Sequence, residues 1–164
     1  MITRILMTLL LTSTISFATP KPFGLEIGKT SYVEAKKKFK DIVLVGDMFN
    51  NNYIVYTTKA STLDFPGIHS LTLIFNKSNK LVSIEGFLHK KRLTDIKKIL
   101  IQKYNLILDN SSEHGEFQWE LRDKNLNITL SSSPHLDDLN LIYAEKDFYN
   151  ETKKHRYKKD NELL

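Results

Sequence analysis

The sequence predicts an α+β fold: two helix-plus-antiparallel-strand repeats forming one sheet-and-helix domain, closed by a polar C-terminal helix or tail. Apolar residues recur at helical spacing twice, over residues 31–40 and 93–104. Short β-branched, aromatic or strictly alternating runs, separated by polar turns, follow each helix. A dense run of charge fills the end of the chain. The 164 residues fit one domain able to bury about two-thirds of its unfolded surface. With 41% hydrophobic and 26% charged residues, the composition excludes a wholly disordered chain.

A Pro-containing lead-in at 19–25 precedes the first helix. Ser31-Tyr32-Val33-Glu34 reads as a capping box, with Tyr32, Ala35 and Phe39 on the apolar face and lysines on the other. Ile42-Val43-Leu44-Val45 is a compact strand ended by Gly46 and Asp47, and Asn50-Asn51-Asn52 is a turn. The next strand runs from Tyr53 to Thr58. After a loop at Phe65-Pro66-Gly67, Leu71 to Phe75 and Leu81 to Phe87 form a hairpin across Asn76-Lys77-Ser78-Asn79-Lys80.

Leu93, Ile96, Ile99, Leu100 and Tyr104 mark the second helix, and Leu106-Ile107-Leu108 another short strand. From Glu116 to Arg122 the chain alternates, with Phe117, Trp119 and Leu121 inward and Glu116, Gln118, Glu120 and Arg122 outward. Asn127 to Leu130 and Leu139 to Tyr143 complete the strands. The halves match as Asp41–Leu44 with Asn105–Leu108, Tyr53–Tyr56 with Phe117–Glu120, and Leu71–Phe75 with Leu139–Tyr143. Either a repeat over 26–88 and 89–149 or independent arrival at a common pattern accounts for this. A true repeat leaves neither half independent, because each alone would have an uncovered sheet face. The main domain spans 19–149, and 150–164 is a charged tail, either a fraying helix or a disordered end.

Residues 1–18 read as a secretory signal peptide. Arg4 supplies the positive start, Ile5 to Ile15 the apolar run, and Ser16 and Ala18 the small residues before a cleavage point at Thr19. The run falls short of the ~20 apolar residues of a membrane span. The expected location is therefore periplasmic or secreted. Cysteine is absent, so neither a disulfide nor a lipid-bearing cysteine is available. The net charge of +5 is mild, and no nucleic-acid partner is expected. Basic residues cluster at 36–40, 89–92 and 153–159. The first two read as solvated faces. The third, with Lys153, Lys154, Arg156, Lys158 and Lys159, is a candidate contact for an anionic surface polymer or lipid.

None of His69, His89, His114, His135 and His155 has a recognised zinc spacing, and no metal or other cofactor is expected. His135 with Asp137 and Asp138, with His114 in another loop, is the nearest approach to a ligand set. No nucleophile elbow, phosphate loop or dinucleotide fingerprint occurs, and the Ser131-Ser132-Ser133 run reads first as a turn. Phe49, Tyr53, Tyr56 and Trp119 are candidate contact aromatics, with burial in the core as the alternative reading, preferred for Trp119.

Gly24-Leu25-Glu26-Ile27-Gly28-Lys29-Thr30-Ser31, with Val33 and Phe39, resembles the helix entry of small bacterial envelope proteins. These are the outer-membrane assembly lipoproteins of the SmpA/OmlA type and the β-lactamase-inhibitor-protein-like fold. The latter resemblance implies two helix-plus-sheet repeats presenting a concave surface to a partner, without catalysis. The missing lipid-bearing cysteine argues against the anchored role. The sequence thus leads to an exported, non-enzymatic binding or inhibitor-like module whose partner is another envelope or secreted protein. The alternative is a hydrolase of cell-wall or extracellular polymer using loop carboxylates and His135. The oligomeric state is not fixed by the sequence.

Overall fold

The computed structural model describes residues 20–59, 67–111, 117–132 and 137–162, with side chains through residue 156. The leader at 1–18, His114 and His135 lie outside the described residues. The elements run α1 (Tyr32–Lys38), β1 (Val43–Met48), β2 (Tyr53–Lys59), β3 (Ile68–Asn76), β4 (Leu81–His89), α2 (Leu93–Lys103), β5 (Asn105–Ser111), β6 (Phe117–Asp123), β7 (Leu126–Ser132), β8 (Asp138–Glu145) and α3 (Lys146–Glu162). The fold is α+β, with one antiparallel sheet of eight strands in the order β1-β2-β3-β4-β8-β7-β6-β5.

Local chemistry sets the boundaries. The Glu34 amide donates to Ser31 Oγ at 3.3 Å, and the Ser31 amide donates to Glu34 Oε2 at 2.7 Å, so the capping box starts α1. In the β3–β4 turn, Asn76 Oδ1 accepts from the amides of Ser78 and Lys80, both at 3.0 Å. Strand β1 passes through Gly46 and Asp47, where the sequence suggests a stop. Their pairing with Val55 and Ile54 carries the ladder to Met48. The turn begins one residue later, with Phe49, Asn50 and Asn51 all left-handed at φ 52°, 56° and 63°. Asparagine tolerates that conformation, whereas a bulky aromatic rarely adopts it.

One row of partners crosses all eight strands: Leu44, Tyr56, Leu73, Ile84, Tyr143, Ile128, Leu121 and Leu106. Beyond each end of this row the edge strand bulges by one residue, at Val45 in β1 and at Ile107 in β5. The row faces the main core, where Leu73, Ile84, Ile128 and Leu121 meet Ala35 and Phe39 from the α1 side and Ile96 and Leu100 from α2. Both helices therefore cover the same face. Strand β6 alternates as its sequence requires, with Phe117, Trp119 and Leu121 buried. The third sequence match, Leu71–Phe75 with Leu139–Tyr143, sets β3 against β8. These are the third strand of one run and the fourth of the other, so they do not occupy matching places.

The second face carries a smaller cluster of Ile74, Val82, Ala144 and Phe148, with Met48, Phe49, Tyr53, Val55, Ile142 and Tyr149 around it. Phe148 belongs to α3. The charged C-terminal segment thus folds back onto the sheet instead of trailing from it, and Ala144 and Glu145 belong to β8. No helix among the described residues is long and apolar enough to cross a membrane.

Candidate functional site

Because α3 covers only part of the second face, a cleft of ≈ 780 Å³ opens between them. Such a volume lies within the range of small-ligand sites. Strand alternation builds the floor: on the face away from the main core β6 and β7 are polar, and β4 and β8 add single polar positions among apolar ones, bringing Glu85, Gln118, Thr129, Ser131 and Asn140 together. Register places Asn140, Ser131 and Gln118 in one cross-strand row and Glu85, Ile142, Thr129 and Glu120 in another. The wall is apolar, formed by Met48, Phe49 and Phe148. Lys153, His155 and Arg156 of α3 supply the rim.

Phe49 and His155 hold the mouth, their rings stacked at 4.1 Å between centroids and 11° between planes. Tyr53 braces this corner from behind: its hydroxyl donates to Glu151 at 2.6 Å, and its ring meets Phe49 and Phe148 edge-on. Burial, then the Glu151 hydrogen bond, pushes the Tyr53 phenol up to about 12. On the opposite wall Lys153 Nζ donates to Glu120 Oε1 at 3.2 Å and sits 4.7 Å from the centre of the Tyr149 ring. Hydrogen bonding to Tyr149 heads the causes that hold the Lys153 ammonium above its ordinary value.

The floor contains two unanswered acceptors. Among the described residues no hydrogen bond or ion pair reaches the Glu85 carboxyl, and burial alone pushes its pKa up. Asn140 Oδ1 is buried without a donor. A carboxyl that faces a cleft with raised affinity for its proton marks a functional-site candidate. Because the folded state retains the Glu85 proton where the unfolded chain has released it, stability falls as pH rises from the ordinary glutamate value through the folded one. Glu85→Gln is therefore expected to flatten this slope and raise the neutral-pH melting temperature. Thermal melts of both proteins across the acid-to-neutral range measure it, and an unchanged slope would show that Glu85 is solvated.

Of the residues selected from sequence, Phe49, Lys153 and Arg156 line this cleft and Tyr53 supports it. Tyr56 points to the other face, stacked on Tyr32 at 4.4 Å and packed against the main core. Trp119 is 8% exposed, beneath the Lys97 ammonium at 4.1 Å, and serves packing. Lys154 is exposed on α3, and the side chains of Lys158 and Lys159 lie outside the described residues. Glu85 and Asn140 escape sequence reasoning because each is one polar position in an alternating strand.

The two-carboxylate chemistry of a glycosidase finds no support on this floor. Glu85 and Glu120 share a row three strand spacings apart, about 14 Å between backbones, and Glu120 is occupied by Lys153 and Gln118. A second constellation, His69, His89 and Asp138, lies on the same face, outside the residues that line the cleft. It offers the nitrogen and oxygen donors that a metal could use. Comparison with protein-family models, curated proteins and solved structures finds no match to this chain.

Proposed function

We propose that the chain is an exported, non-enzymatic binding module whose cleft beneath α3 takes up an elongated zwitterion, such as a short peptide or an exposed segment of an envelope or secreted protein. The cleft itself carries this reading, through the order of its chemistry. Glu85 and Asn140 on the floor present acceptors that call for N–H donors from a ligand. The wall of Met48, Phe49 and Phe148 suits an apolar middle, and Arg156 at the rim, beside the Lys153–Glu120 pair, suits an anionic end. The left-handed backbone at Phe49 supports the same conclusion, since a conformation so uncommon for an aromatic positions the wall ring.

Duplication of one helix-plus-four-strand plan belongs to this proposal. Tyr32, Ala35 and Phe39 recur at the same spacing as Leu93, Ile96 and Leu100. Reading outward from the Ile84–Tyr143 pair, each half offers equivalent partners and ends in a bulged edge. Under this reading the cleft is where α3, which has no counterpart in the first half, breaks the symmetry and adds a site.

Two measurements test the proposal. Protein recovered from its producing cells is expected to begin at Thr19 by intact mass, and a chain retaining Met1 would remove export from the account. Short zwitterionic peptides with an aliphatic or aromatic middle are expected to bind the purified chain in calorimetric titration. Glu85→Leu should weaken that binding more than tenfold, an order set by the loss of a charged hydrogen bond. Equal binding by the variant and the parent chain would exclude the floor as the recognition surface.

A further inference from the structure

We propose that His69, His89 and Asp138 form a three-ligand site for a divalent transition-metal ion, with Zn²⁺ the best fit. The site is separate from the cleft and does not depend on its ligand. One donor atom from each of the three residues lies within 4.8 Å of the other two. His69 Nε2 is 3.0 Å from Asp138 Oδ1, and the two imidazole centroids are 3.8 Å apart at 73°. A tetrahedral zinc with bonds of about 2.0–2.2 Å separates its ligands by about 3.3 Å. Small side-chain rotations span the difference.

The backbone builds this arrangement. His89 and Asp138 are direct partners across the central β4–β8 pair. His69 comes from β3, where the register with β4 slips by one residue between Ile68 and Ser70. In an unbroken ladder position 69 would face the main core, since Ser70 opposite Phe87 faces away from it. The extra residue turns Ile68 into the core and releases His69 onto the second face beside His89. Re-aiming a side chain is what a bulge does near a functional site. The neighbouring backbone is tied on both sides: the His89 amide donates to Gly67 O and the Lys90 amide to Asp137 O, both at 2.9 Å.

The donor set selects the ion. Two imidazoles and one carboxylate match borderline ions such as Zn²⁺, whereas calcium and magnesium require more oxygen ligands. The side chains of His69 and Asp138 are 38% and 44% exposed, so an ion held here keeps a coordination position open to water or to a donor from a partner. Bridging β3, β4 and β8, it would also clamp the seam at which the first four strands meet the last four.

The test uses chelator-treated full chain titrated with Zn²⁺ by calorimetry and with Co²⁺ by visible absorption. One ion per chain with micromolar affinity and a tetrahedral Co²⁺ band are expected. His69→Ala and His89→Ala should each lower the affinity more than about tenfold, since changes even in the outer shell of metal sites cost 10–100-fold. Zn²⁺ should raise the melting temperature of the parent chain and not that of these variants. Asp138→Asn preserves side-chain size and backbone pairing, so it decides the matter if a histidine variant fails to fold, and it too should weaken binding. His155→Ala should leave binding intact. Absence of binding, or binding that survives all three ligand substitutions, would overturn the site.

Discussion

Trp119→Ala is expected to destabilise the protein by about 3–5 kcal/mol, the range for removing a large aromatic from a packed interior. Trp119 lies on β6 between Phe117 and Leu121 on the helix-covered face, and it pairs with Leu130 of β7 and Asp109 of the edge strand β5. Alanine would forfeit the apolar contacts of the ring and leave the Lys97 ammonium, now 4.1 Å from the indole, only the Phe117 ring at 4.6 Å. Trp119→Phe separates volume from polarity. The indole Nε1 is buried without an acceptor, so phenylalanine removes an unsatisfied donor while keeping most of the packing. Its cost should fall well below that of alanine, because the phenyl ring still fills most of the space and leaves the smaller cavity. Urea unfolding of the two variants measures both values, and a neutral alanine variant would place the ring outside the core.

Phe148→Ala should cost about 3 kcal/mol, the lower end of the same range, because the cluster it anchors is small and close to the surface. Its more diagnostic effect is local. Phe148 is 4% exposed and is the buried anchor by which α3 joins Ile74, Val82 and Ala144. Without it the helix retains the Tyr53–Glu151 and Lys153–Glu120 contacts, of which the latter is a partly exposed ion pair of modest strength. Hydrogen exchange should therefore show α3 amides losing protection while β3, β4 and β8 keep theirs. Equal loss throughout would mean that α3 and the sheet unfold as one unit. Unchanged protection of α3 would mean that other contacts hold it.

Periodicity made most of the fold legible. The i, i+3, i+7 spacing of Tyr32, Ala35 and Phe39 and of Leu93, Ile96 and Leu100 marks two helices, and the Asn76–Lys80 turn marks one hairpin. What could not be read depends on contacts distant in the chain. Glu120 looks like a solvent-facing position in an alternating strand, yet α3 returns to that face and Lys153 seats on it. The helix itself carries too little apolar surface for its docking to show in sequence, since Phe148 and Tyr149 are set among charges. The His69–His89–Asp138 cluster was hidden for another reason. It requires a one-residue bulge in β3 and the pairing of β4 with the last strand, neither of which has a local sequence mark.

The cleft beneath α3 is the centre of this account, and an amide-resolved NMR titration with a short zwitterionic peptide tests it most directly. Saturable shifts are expected at Glu85, Gln118, Ser131, Asn140 and Lys153, with the exposed edge runs Val43–Val45 and Leu106–Leu108 silent. Shifts confined to those edges or to the outer surfaces of α1 and α2, with the cleft residues unmoved at saturation, would contradict it.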